Sequence, residues 1–230
     1  MGLPVLNDTP KYEMTIPSSS KKVRYRPYLV REEKILLLAN ESQDQNAIMS
    51  AITDTVLSCV QDNVERSELT TFDLEYMFVK IRSKSVGEKV EMYYACNHCE
   101  QENEVIVDLE EVKCEVNNQS QMIELTEEIT LEIGYPSYDG IDIEANETDT
   151  GFSIIADSIK TVYTKEERID MVDESKENIR AFLESMTSSQ FKKVAEFVKE
   201  MPVVLIQDSF VCKSCGTENR VEIRGISDFF

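Results

Sequence analysis

Two CxxC pairs constrain this chain more than any other feature: Cys96-Asn97-His98-Cys99 and Cys212-Lys213-Ser214-Cys215. The residues after each pair are nearly the same, Glu100-Gln101-Glu102-Asn103-Glu104-Val105-Ile106-Val107 against Gly216-Thr217-Glu218-Asn219-Arg220-Val221-Glu222-Ile223. In both, a Glu-Asn step is followed by apolar residues at alternating positions, which reads as a tight cysteine turn leading into a half-buried strand. The same unit is written twice. Four thiolates are what a closed tetrahedral zinc site requires, so Cys96, Cys99, Cys212 and Cys215 are expected to ligate one structural Zn²⁺ per chain.

Compartment supports metal over disulfide. No apolar run approaches the roughly 20 residues that span a bilayer. The start, Met1-Gly2-Leu3-Pro4-Val5-Leu6-Asn7-Asp8, lacks the basic, then apolar, character of a signal peptide. A cytosolic setting is therefore expected, and there cysteines stay reduced. With 230 residues the chain can bury a sizeable core and does not need metal merely to collapse. The net charge of −20 is uneven: residues 11–34 carry +4, and residues 35–230 carry −23. Such an acidic body repels the phosphate backbone and suits a basic protein partner.

The expected fold class is α+β: a helical N-terminal region and a helical insertion around a split β zinc ribbon built from the two CxxC knuckles. Residues 1–27, with Pro4, Pro10, Pro17, Pro27 and a Ser18-Ser19-Ser20 run, read as an extended arm. Residues 28–86 read as helical. Within them 29–41 is rich in helix formers, Ile35 to Leu38 is too apolar for a surface helix, Asp44 can cap a second helix, and 71–82 forms a third. Residues 87–136 form the first β half, with strands leading into and out of Cys96-Cys99 and more strand over 123–133, ended by Gly134-Tyr135-Pro136. Residues 137–201 form the insertion, a polar loop with an Asp139-Gly140 turn and then helices over 152–163, over 168–186, and after a Thr187-Ser188-Ser189-Gln190 capping box. Residues 202–230 form the second β half, from Pro202 through the second knuckle.

Other chemistries lack their residues. A thioredoxin-like CxxC opens a helix, whose N-terminus stabilises the thiolate; both pairs here precede strands. His98, the one histidine, lies inside the first knuckle opposite Ser214, and so reads as a solvent-facing spacer. That leaves no Ser-His-Asp or Cys-His set, and neither GxxxxGK[ST] nor GxGxxG occurs. A zinc ion closed by four cysteines has no open position for substrate, so no enzyme and no small-molecule substrate are expected. Cys59 falls on an apolar helix stripe as a buried thiol, and Cys114 has no assigned role. The competing class is a zinc-ribbon nucleic-acid-binding or transcription factor. Glu100, Glu102, Glu104 and Asp108 around the first knuckle weigh against it.

Arg26-Pro27-Tyr28-Leu29-Val30-Arg31-Glu32-Glu33-Lys34-Ile35-Leu36-Leu37-Leu38-Ala39 resembles the N-terminal signature of the T4-like phage baseplate hub proteins. The resemblance continues in Val79-Lys80-Ile81-Arg82-Ser83-Lys84-Ser85-Val86-Gly87-Glu88, in Tyr135-Pro136-Ser137, and in Phe197-Val198-Lys199-Glu200-Met201-Pro202. It implies a non-enzymatic tail-assembly protein, a hub component or hub assembly chaperone. Such a protein acts on other baseplate hub proteins, with no nucleic-acid or membrane partner, in the host cytoplasm during assembly and in the tail baseplate. The basic, tyrosine-bearing arm and the start of the first helix, Tyr25, Arg26, Tyr28, Leu29 and Arg31, are the expected partner-binding residues.

Overall fold

The structure, a computed structural model, describes residues 9–116, 120–138 and 147–224. In chain order the elements begin with strands β1 (Tyr12–Thr15) and β2 (Lys22–Tyr25), then helices α1 (Val30–Ser42), α2 (Gln45–Cys59) and α3 (Thr71–Ser85). Strands β3 (Lys89–Ala95), β4 (Glu102–Asp108), β5 (Lys113–Cys114), β6 (Ser120–Glu124) and β7 (Thr130–Gly134) come next. After them come α4 (Glu147–Ser158), β8 (Ile159–Tyr163), β9 (Arg168–Asp170), α5 (Lys176–Glu184), α6 (Ser188–Lys199), β10 (Val204–Val211) and β11 (Glu218–Arg224). The chain is thus α+β. It divides into two compact units, one of Met1–Val64, Phe72–Glu115 and Val203–Phe230, the other of Glu65–Thr71 and Val116–Pro202.

In the first unit, the segment expected as an extended arm is an antiparallel hairpin, with Tyr12 opposite Tyr25 and Met14 opposite Val23. Period two explains it: Met14, Ile16, Val23 and Tyr25 are buried while Glu13, Thr15, Lys22 and Arg24 face water. The serine run makes the connection, with Ser20 in the left-handed region at φ 56°. Ser18 donates from its amide (2.9 Å) and its hydroxyl (2.6 Å) to the fully buried Asp73 carboxylate in the first turn of α3. Arg24 and Asp62 make a second tie, and the Arg26 amide donates to the Cys59 carbonyl at 3.0 Å.

The helices of this unit start where their caps direct. Glu32, three residues into α1, accepts from the Leu29 amide at 2.7 Å, and the Asp44 carboxylate accepts from the Asn46 and Ala47 amides at the head of α2. Helix α3 buries Phe72, Leu74, Met77, Phe78, Val79 and Ile81, the wide apolar surface its sequence predicts. Just beyond β4, Glu110 accepts from Ser83 (2.7 Å) and Lys80 (3.3 Å), tying the end of the β3–β4 hairpin to α3. Strand β10 pairs with β11 on one side and with β5 on the other, Val204 lying opposite Cys114.

The second unit is a four-stranded antiparallel sheet, ordered β6-β7-β8-β9, with helices α4, α5 and α6. Its core joins Ile123, Leu131, Ile133, Ile159 and Val162 of the sheet to Ile155, Leu183, Val194 and Phe197 of the helices. Two expectations are corrected here. The strands over 120–134, grouped by sequence with the first knuckle half, pair instead with β8 and share its core. The helix expected over 152–163 stops at Ser158, and residues 159–163 turn into β8, because β-branched Ile159, Thr161 and Val162 gain more from the sheet than from another helical turn. Likewise 168–186 is not one helix: β9 and a 3-10 turn come first, and Ser175 caps α5. The Thr187 capping box is present, with Gln190 donating its amide to the Thr187 hydroxyl and reaching back to the Thr187 amide. The Asp139-Gly140 turn lies outside the described residues.

Candidate metal centre

Each CxxC sits at the tip of a hairpin and the two tips are built alike. In the first, β3 and β4 pair from Lys89 opposite Asp108 to Ala95 opposite Glu102; in the second, β10 and β11 pair from Leu205 opposite Arg224 to Val211 opposite Glu218. The turns match bond for bond. The Cys96 amide donates to the Gln101 carbonyl and the Glu100 amide to the Cys96 carbonyl, both at 2.9 Å; Cys212 with Thr217, and Gly216 with Cys212, repeat those distances. Both turns need a left-handed residue just after the second cysteine, and Glu100 (φ 58°) stands where the other copy has Gly216 (φ 74°). Tyr94 opposite Asn103 corresponds to Phe210 opposite Asn219.

The two tips bring all four thiols together. One Sγ from each of Cys96, Cys99, Cys212 and Cys215 lies within 4.8 Å of the others. Two approaches run between the halves, Cys96 to Cys215 at 3.7 Å and Cys99 to Cys212 at 3.6 Å. Those gaps are far too long for a disulfide, but they match the roughly 3.8 Å edge of a tetrahedron with 2.3 Å metal–sulfur bonds. The donor set therefore fits one thiophilic ion. Cys96 and Cys212 are buried at the base, and Cys99 and Cys215 face solvent. His98 is exposed on the turn and outside the thiol cluster, as its spacer position implies.

The local field acts oppositely on the two buried thiols and on Cys99. The His98 and Cys99 amides, with the Asn219 side chain, hold the Cys96 thiol below its ordinary value. The Cys215 amide does most to bring Cys212 down to about 6, helped by the Ser214 amide and Asn103. At Cys99 the Gln101 amide favours the thiolate, but the crowd of Cys215, Cys212 and Cys96 together with burial pushes the thiol up to about 12. Negative charge is thus favoured on Cys96 and Cys212 over Cys99, and a cation would help draw the Cys99 proton off.

The other singled-out residues fall elsewhere. Cys59 is fully buried in α2, and burial raises its thiol to about 11. Cys114 is half-buried on β5, apart from the cluster, and burial pushes it to about 12. The expected partner-binding residues do not form one free surface. Tyr25 is 2 % exposed, its ring 5.6 Å from that of Tyr12, because it belongs to the buried side of the hairpin. Arg26 is spent on Glu32 (3.0 Å) and the Ser58 carbonyl (3.1 Å), Tyr28 and Leu29 are half-buried, and Arg31 is exposed beside Glu32 at 2.7 Å. The outward side of α1 is apolar instead: Val30 is 79 % exposed, Leu37 58 %, Leu38 54 % and Ile35 53 %, while Leu36 and Ala39 face inward. The expectation that Ile35 to Leu38 is too apolar for a surface helix is corrected here: of the four only Leu36 is buried, and the other three face solvent.

A four-thiol cluster closed between two copies of one hairpin, in an α+β chain, defines a scaffold able to hold a structural metal. The chain belongs to the T4 bacteriophage base plate protein family, which it matches over residues 9–230. Membership carries a structural role in the phage tail baseplate, among other phage proteins. No curated protein and no solved structure matches it significantly. Among the described residues, no helix is long and apolar enough to cross a membrane.

Proposed function

We propose that this protein is a non-enzymatic component, or assembly chaperone, of the baseplate hub, and that one Zn²⁺ held by Cys96, Cys99, Cys212 and Cys215 closes its two knuckles into a ribbon. The convergence of four thiols at tetrahedral spacing supports the ion. When bound, zinc supplies no reaction here; it neutralises thiolates and ties residues 87–116 to residues 202–224. On this reading residues 87–115 and 203–224 hold the two halves of the site, and residues 116–202 are an insertion between them in the sequence.

The observation that carries the docking role is the exposure of four large apolar side chains, Val30, Ile35, Leu37 and Leu38, on the one helix α1. Large apolar side chains exposed close together on one helix cost solubility unless a partner covers them. Family membership points to another baseplate protein as that partner, offering an apolar groove rimmed by basic residues to suit a chain of net charge −20. Of the residues expected to bind, Arg31 is exposed among these side chains, and Arg26 braces α1 through Glu32.

Co-expression with the other hub proteins, followed by pull-down and mass spectrometry, tests the reading. The triple variant Val30→Ser, Leu37→Ser, Leu38→Ser should lose hub complexes while keeping its circular dichroism and metal content. Complexes captured at unchanged yield would refute α1 as the docking face. Elemental analysis of protein purified without chelators should find about one zinc per chain.

A further inference from the structure

The two knuckles share more than their cysteines. Asn103 and Asn219, each 3 % exposed, occupy matching positions one residue into the strand after each turn, and each reaches across to the other knuckle. The Asn103 side-chain amide donates to the Gln101 carbonyl (2.7 Å) and to Cys212 Sγ (3.6 Å), while its oxygen accepts from the Lys213 amide (2.9 Å). Asn219 repeats the set: it donates to the Thr217 carbonyl (2.9 Å) and to Cys96 Sγ (3.4 Å), and accepts from the Asn97 amide (2.9 Å). Every polar atom of both side chains is used. In each case one bond braces the residue's own turn and two cross to the other half.

We infer that Asn103 and Asn219 are reciprocal positioning residues of the metal centre, each orienting and polarising a buried cysteine ligand contributed by the opposite knuckle. The inference rests on the four-cysteine site proposed above. Three physical points support it. A divalent ion with four thiolates is formally a dianion, here set in an acidic protein, so N–H donors to sulfur replace the water a buried thiolate has lost. Aspartate could keep the accepted backbone bond but not the donation to sulfur, and leucine could keep neither, which explains why an amide suits both positions. Because each clamp acts on the other half's ligand, neither knuckle completes its own outer shell, and the two halves close together or not at all.

The test uses the full chain with Asn103→Asp and Asn219→Asp, which hold side-chain size and remove the donor to sulfur. Zn²⁺ affinity is read by competition with a chromophoric chelator, and Co²⁺ substitution reads the thiolate-to-metal charge-transfer band. Each variant should bind zinc about 10- to 100-fold more weakly, the usual cost of losing an outer-shell partner. The charge-transfer band should move to longer wavelength, because an unbonded sulfur lone pair lies higher in energy. Glu102→Gln and Glu218→Gln, exposed neighbours on the same strands, should leave both readouts unchanged. Should the aspartate variants not fold, the neutral Asn103→Ser and Asn219→Ser are measured the same way, with the same expectation. Wild-type affinity and an unmoved band in the asparagine variants would overturn the clamp and leave the metal centre standing. A wild-type chain that takes up neither Zn²⁺ nor Co²⁺ would overturn both.

Discussion

Exchanging the residues at the left-handed position of the two turns should move stability in opposite directions. Glu100 and Gly216 do the same backbone work, each donating its amide at 2.9 Å to the carbonyl of the first cysteine of its turn, with φ of 58° and 74°. A non-glycine residue in that region costs about 1–2 kcal/mol, whereas the extra freedom of glycine favours the unfolded chain by about 0.4–1 kcal/mol. Glu100→Gly should therefore gain on the order of 0.5–1 kcal/mol, about 1–4 °C in melting temperature for a chain of this size. Gly216→Ala should lose a similar amount. No atom lies within 4 Å of where the added Cβ would sit, so the loss is one of backbone conformation, not collision. Removing Glu100 also removes a charge beside Cys99, and Glu100→Gln isolates that effect because glutamine keeps the strained conformation. Thermal unfolding of zinc-saturated protein would rank Glu100→Gly above Glu100→Gln, with wild type and Gly216→Ala below. If Glu100→Gln reproduced the whole gain, or Gly216→Ala cost nothing, backbone strain would not distinguish the two turns.

Acid stability and the cysteine ligands give two further outcomes. Burial opposes ionisation of Glu32, but donation from Arg31, the Leu29 amide and Arg26 outweighs it and brings the carboxyl down to about 2. The associated stability, on the order of 3 kcal/mol, is present above the ordinary glutamate range near pH 4.5 and is lost as pH falls through 2; Glu32→Gln should flatten that acid limb in urea titrations between pH 5 and 2, and an unaltered limb would contradict the assignment. Cys96→Ser or Cys212→Ser should lower the melting temperature far more than Cys114→Ser, since the first two break a metal-linked closure of several kcal/mol and the third alters one half-buried thiol; equal melting temperatures would count against the centre.

The sequence was most legible where the chemistry is local. The CxxC repeat, the caps at Asp44 and Thr187, and the apolar circumference of α3 each depend on residues within a turn or two of one another, and each stands in the structure. The β1–β2 hairpin was hidden by its prolines and serines, although Met14, Ile16, Val23 and Tyr25 keep strict period two through them. Strand β8 was hidden by continuity: α4 runs straight into it, and only tertiary pairing with β7 separates a helical from an extended reading of Ile159 to Tyr163. The Glu-Asn echo was visible in the sequence, but the reach of each asparagine to the opposite cysteine was not, because strand pairing sets that distance and spacing along the chain does not. Apolar excess in α1 was equally visible, while its direction, outward at Val30, Leu37 and Leu38, depended on which face meets α2.

The site's two halves lie 116 residues apart, which gives its assembly an order in time. At about 5–20 residues per second, the ribosome needs roughly 6–23 s to deliver the second pair of cysteines after the first. For that interval Cys96 and Cys99 are an open two-thiol turn that lacks both the ligands and the asparagine donor of the other half. Residues 116–202, with their own sheet and helices, emerge whole within the same interval. A metal held there as proposed would be the last fastener, set only after everything between the knuckles has been made.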